Sequence, residues 1–142
     1  MAQTLSLQYA TAQSLTVAGL GTLANGSSAT SVAIDNTSSL YVDVLLEVVV
    51  TTASGATATG IAEVYAKASI DNSDFDDDTN DRWIGSVALA AAGAGTYKRI
   101  LPVAEAFGGT MPPYLQVRIK NSTGAALSAG TVSYMGATAQ TA

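Results

Sequence analysis

The sequence predicts an all-β, single-domain fold, an antiparallel sandwich or barrel of about eight strands. Three observations predict it. Apolar residues recur with a period of two in run after run, the spacing of strands with one buried face. Turn-forming clusters separate those runs at short intervals. No segment sustains a helix: Ser14–Leu20 and Val87–Ala92 are rich in Ala and Leu, but Gly19, Gly21 and Gly93 oppose extension. A chain of 142 residues is one domain's worth and can bury a substantial core.

In chain order the strand candidates begin with Leu15–Ala18 and with Val32 and Ile34, which alternate with Ser31, Ala33 and Asp35. The strongest is Leu40–Thr52. One of its faces reads Leu40, Val42, Val44, Leu46, Val48 and Val50, a core face, and the other is mixed, with Asp43 and Glu47 inserted. At the strand rise this run would measure roughly 43 Å, more than the roughly 37 Å breadth of such a domain. The strand must therefore cross the whole domain, bend or divide. Ala62–Ile70, Trp83–Ala90, Tyr97–Val103, Tyr114–Lys120 and Thr131–Met135 complete the set.

Turns are expected at Asn25-Gly26, at Asp35-Asn36 and at Asn121–Gly124. Small-residue loops are expected at Ala53–Gly60 and Ala91–Gly95, and Pro112-Pro113 stops a loop ahead of a strand. The ends, residues 1–13 and 136–142, read as extended arms.

Composition excludes much chemistry. With no His and no Cys, Ser-His-Asp and Cys-His catalysis, His- or thiolate-bound zinc, iron–sulfur clusters and disulfides are ruled out. Six Lys/Arg against eleven Asp/Glu leave no footprint for nucleic acid, so none is expected as a partner. No apolar run approaches the roughly 18–20 residues that span a bilayer, and the N-terminus lacks the basic stretch of a secretory signal, so neither membrane contact nor secretion is expected. The 48% apolar share is inflated by 26 Ala, yet a mean hydropathy of +0.29 with 12% charged residues also fits a surface covered by a partner.

Asp71–Asp81 holds six Asp in eleven residues. Asp74, Asp76 and Asp78 have the spacing that opens an EF-hand calcium loop, but Thr79 stands where Gly is required and Gly85 where the bidentate Glu belongs. The segment is read as a solvated acidic connection, with no metal or other cofactor and no calcium dependence. Asp43 and Glu47 share a strand face but lie roughly 13 Å apart, too far for a glycosidase pair. Glu63 and Glu105 could join them only through folding. No catalytic residue is assigned. Trp83, the lone Trp, is read as a core anchor rather than a sugar platform. Arg118 and Lys120 share the face opposite Leu115, Val117 and Ile119 and are expected to be exposed. Asn25, Asn36 and Asn121 head glycosylation-type triplets that serve as turn chemistry.

Three phrases, SVAIDNTSSLYVDVLLEVVV (31–50), VYAKASIDNS (64–73) and the strand–turn–strand at 112–134, resemble small structural proteins of tailed bacteriophages. The chain is similar to the cement or decoration proteins of capsids. That resemblance implies an all-β, single-domain antiparallel β-sandwich, a jelly roll of about eight strands, on the outer capsid surface of a virion. It implies a phage major capsid protein as partner, a homodimer or homotrimer, and no catalytic residues. The interfacial candidates are Tyr41, Leu45 and Val49 on the mixed strand face, with Arg118 and Lys120. A tail, neck or fibre module and a carbohydrate-binding sandwich are the alternatives.

Overall fold

The computed structural model describes residues 3–141. Its strands are β1 (Leu5–Tyr9), β2 (Gln13–Leu15), β3 (Ser28–Thr30), β4 (Ile34–Asp35), β5 (Asp43–Thr52), β6 (Ile61–Ser69), β7 (Arg82–Ala88), β8 (Gly95–Pro102), β9 (Tyr114–Ser122) and β10 (Leu127–Thr141). One helical turn, α1 (Asn36–Ser39), follows β4 and is capped by the Asp35 side chain.

The pairing is antiparallel throughout. The first sheet runs β1-β10-β5-β8, with β2 also on β10, and the second runs β3-β9-β6-β7, with β4 also on β9. Merging β1 with β2 and β3 with β4 leaves eight strands, four in each sheet. The first then pairs with the last, the second with the seventh, the third with the sixth and the fourth with the fifth. A long hairpin rolled in this way is a jelly roll, and the predicted antiparallel sandwich is the observed fold.

Period two builds the core. Val44, Leu46, Val48 and Val50 of β5 face Ala62, Val64 and Ala66 of β6 and Leu115, Val117 and Ile119 of β9, all fully buried. The long β5 candidate neither bends nor divides; it starts late. Leu40 takes a left-handed backbone (φ 53°) after α1, so the ladder begins at Asp43 and Leu40 is left 70% exposed. Gly26 supplies the positive φ of the Asn25-Gly26 turn.

Both ends are paired with each other. Leu5–Tyr9 registers against Ala137–Thr141, so the described parts of the two expected arms form one ladder; residues 1, 2 and 142 lie outside the described residues. Trp83 requires a correction. Alternation with Val87 and Leu89 aims it at the core, but a register shift between Val64 and Tyr65 makes Ile84 the extra residue. Gly85 keeps the inner position beneath Leu101, and Trp83 sits opposite Tyr65 on the outer face, 50% exposed.

Candidate functional site

Two outer sheet faces remain once the core is closed. On the first sheet, Leu45 and Val49 of β5 point outward, beside Met135 of β10 and Ile100 of β8. Leu45, Ile100, Ser133, Met135 and Ala12 surround a shallow depression of about 200 Å³. The charges at this place offset one another, with Lys98 Nζ 3.6 Å from Glu47 Oε2. Ile100 is 57% exposed on an edge strand. The alternation of Lys98, Ile100 and Pro102 against Tyr97, Arg99 and Leu101 carries this signal in the sequence, so Ile100 was a findable member of the face.

Tyr41 does not join Leu45 and Val49. Its backbone N–H donates to Asn36 Oδ1 at 2.7 Å and its carbonyl accepts from Asn36 Nδ2 at 3.1 Å. These bonds turn the ring inward over Gly136, where a Cβ would stand 2.2 Å from the ring. The αL residue before it, Leu40, breaks the alternation that placed Tyr41 outward.

The second sheet carries Arg118 and Lys120, so the five predicted residues fall in three places. Lys120 is on the outer face, its side chain 42% exposed and 3.8 Å from Glu63. Arg118 is not exposed as expected. Its Nε donates to Asp81 Oδ2 at 2.6 Å, its Nη1 donates to Ser28 Oγ at 3.0 Å, and its guanidinium lies 4.2 Å from the Tyr65 ring centre. The Asp81 carboxylate holds the guanidinium charged, raising its pKa above the ordinary value. The cause of burial is the acidic segment, which folds back over this face. Asp78 pairs with Lys67, the other cation buried on an outward position, and Asp76 both accepts from and donates to the Ala68 backbone.

Most of Asp71–Asp81 is exposed, as expected of a solvated connection, yet its carboxylates are ordered by hydrogen bonds. Asp71 accepts from the Ser73 and Asp74 N–H groups and the Ser69 hydroxyl, and Asp77 caps the turn at Thr79 and Asn80. These carboxylates face separate partners, and among the described residues no three acidic groups converge to hold a metal ion. The other carboxylates are also engaged. Asp43 Oδ1 accepts from the Val44, Val103 and Ala104 N–H groups, and Glu63 accepts from Tyr65 and Ser122.

Several carboxyls titrate low for these reasons. The Ser122 hydroxyl depresses Glu63, the Asp74 N–H depresses Asp71, Lys67 depresses Asp78 and the Thr37 hydroxyl depresses Asp35. Burial raises Tyr65 and Tyr134. A depressed carboxyl stabilises the fold above its unfolded pKa, and that contribution disappears as pH falls through the folded value. A raised phenol acts oppositely, its contribution disappearing as pH rises past about 10. With no His in the chain, the melting temperature should stay flat between about pH 5 and 8 and fall below about pH 4. A calorimetric series checks this; a step near pH 6.5 would contradict it.

Trp83 borders a groove of about 460 Å³ between the edges of β7 and β8, with Arg99 and Glu105 on its walls. Its ring meets Tyr65 edge-on, 5.4 Å between centres.

No protein-family model and no curated protein matches this chain. Among solved structures, it is similar to BuGH86wt in complex with neoagarooctaose, with a TM-score of 0.48 and 9% identity over 94% of this chain and 19% of that one. A variant of that protein in complex with neoagarooctaose gives the same values. The chain spans about a fifth of the length of these structures.

Proposed function

We propose that this chain is a structural virion protein, a cement or decoration protein of a tailed bacteriophage. It sits on the outer capsid surface and bridges major capsid subunits. The observation that supports the reading is the outer face of the first sheet. Leu45, Val49, Ile100 and Met135 share it, and its nearest charges, Glu47 and Lys98, offset each other. Such a face gains stability when another protein covers it. The rigid double sheet holds the face in shape, and repetition over a shell multiplies a weak contact into strong attachment.

Purified particles of the parent phage should contain this chain in hundreds of copies. Ile100→Lys should lower that occupancy by at least about tenfold, with the melting temperature of the free chain not lowered, since Ile100 is already exposed and the new cation stands opposite Glu47. Quantitative mass spectrometry of particles reads both. A few copies per particle would move the reading to a tail, neck or fibre module. Absence from particles would end it.

The half-exposed Trp83 beside Arg99 and Glu105 favours one second reading, a carbohydrate-binding sandwich using that groove. Trp83 emission unmoved by a panel of oligosaccharides would remove it.

A further inference from the structure

Four strand edges border the two sheets, and three of them are blunted. β8 carries Lys98, Arg99 and Pro102; β7 opens on Arg82; β3 and β4 are three and two residues long. Charges, proline and shortness are the usual means by which an edge avoids pairing with another chain. β1 has none of the first two. Leu5–Tyr9 reads Leu-Ser-Leu-Gln-Tyr, and the first charged side chain of the whole sequence is Asp35.

β1 also sits where pairing is least complete. The ladder between β10 and β5 ends at Ala137, whereas β1 follows β10 on to Thr141. Beyond Ala137 the two strands form a two-stranded ribbon, which is marginal in water without a further strand. On its outer side Leu5, Leu7 and Tyr9 are 72%, 57% and 54% exposed.

Among the described residues, the backbone of that edge is unpaired in a defined pattern. The Ala10 N–H donates to the Gly136 carbonyl, in register with the Tyr9–Ala137 pair. In an antiparallel ladder the bonded residues alternate. Ala10, Gln8 and Ser6 therefore address β10, and the N–H and C=O groups of Leu5, Leu7 and Tyr9 point to the open edge. The three large apolar side chains and, among the described residues, the three unpaired donor–acceptor sets belong to the same residues.

We propose that β1 pairs with β1 of a second copy, antiparallel about Leu7, in a two-fold dimer. Leu7 then meets Leu7, and Leu5 meets Tyr9 of the other copy. Every outward-pointing residue faces an outward-pointing residue, so the ladder closes with all its bonds made. Apolar side chains also meet apolar side chains on one face, while Ser6 and Gln8 meet on the other. This self-complementarity selects a second copy as the occupant, since a two-fold interface must match itself. The result is a four-stranded ribbon joining two sandwiches. Because only three large side chains per copy enter, the association belongs to the small, weak class of interface, forming at concentrations on the order of 10–100 μM.

The proposal does not rest on the virion reading, because its test uses the purified full-length chain alone. Sedimentation equilibrium should show the mass rising from one chain to two across that range. Leu7→Pro removes an N–H that points to the open edge and no bond to β10, so it should abolish the dimer while the melting temperature measured on dilute protein stays put. Leu7→Lys should do the same with the N–H kept, and it reads the outcome if the proline variant fails to fold. In the wild type, hydrogen exchange at Leu5, Leu7 and Tyr9 should slow as concentration rises. A chain that stays monomeric at about 1 mM, or a dimer that survives both substitutions, would overturn the proposal.

Discussion

Arg118→Met should lower the stability of the fold by about 3 kcal/mol and its melting temperature by roughly 10 °C. The Arg118 and Asp81 side chains are 7% and 3% exposed and 2.6 Å apart, so removing the guanidinium strands a buried carboxylate. The figure sits at the low end of the 3–5 kcal/mol for broken buried pairs, because Asp78 beside it is 65% exposed and water is close. Two further effects follow from the geometry. The Tyr65 ring loses the cation over its face, and Ser28 on β3 loses its link across β9. Asp81→Asn should cost less, because an amide can still accept from the Arg118 Nε. The double variant should cost less than the sum of the two single ones, since each removes the other's unpaired charge. Chemical denaturation of the four proteins checks the cycle; an additive result, or a loss under about 1 kcal/mol for Arg118→Met, would mean that the pair is effectively solvated.

The same site explains why some residues were legible in the sequence and others were not. Alternation reports which side of a strand a residue takes, and it does so well where one side is buried. Val44 to Val50 and Leu115 to Ile119 are placed correctly for that reason. It does not report what lies over the other side. Arg118 and Lys67 are outward, as their positions in alternation require, but the acidic segment folds onto them and turns two surface cations into buried ones. A register shift escapes the pattern too. One extra residue at Ile84 sends Trp83 to the outer face while Gly85 keeps the inner one, and nothing in Arg-Trp-Ile-Gly-Ser announces it. Tyr41 fails through a single αL residue before it. β1 fails differently, because its alternation of Leu, Ser, Leu, Gln and Tyr is plain but no face of it is buried within this chain. The mixed face of β5 was the part of the candidate site that could be read, and Leu45 and Val49 are on it. Arg118, Lys120 and Tyr41 depended on a loop, a neighbouring strand and a backbone turn.

Asn121→Ala should cost about 3 kcal/mol, although the sequence offers Asn121 as no more than the start of a turn. It stands at the next inward position after Leu115, Val117 and Ile119, and it is completely buried. Its Nδ2 donates to the Leu23 and Ala125 carbonyls at 2.9 and 2.8 Å, and its Oδ1 accepts from the Thr123 N–H and hydroxyl at 3.0 and 2.7 Å. One side chain therefore fastens the segment before β3 to the turn between β9 and β10. Truncation does not orphan every partner equally. The Leu23 carbonyl keeps the Leu127 N–H, and the Thr123 hydroxyl, freed from Asn121 Oδ1, can turn its one proton to the Ala125 carbonyl. The Thr123 N–H loses its acceptor inside the protein, which alone is worth about 1–3 kcal/mol, and the lost bonds and the small void supply the remainder. Asn121→Asp separates polarity from shape. The isosteric carboxylate would face two carbonyl oxygens that need donors, so its folded pKa must rise above the unfolded value of about 3.9. A raised carboxyl pKa means that the folded state binds the extra proton, so stability is greatest below the unfolded pKa and falls as pH rises through the folded one. The deficit of Asn121→Asp relative to the wild type should accordingly widen between about pH 4 and 7, opposite in sign to the trend of the wild-type carboxylates, whereas that of Asn121→Ala should stay constant. Urea denaturation at the two pH values decides it: a pH-independent Asp deficit would show that the site admits water and that Asn121 is not the fastening it is taken to be.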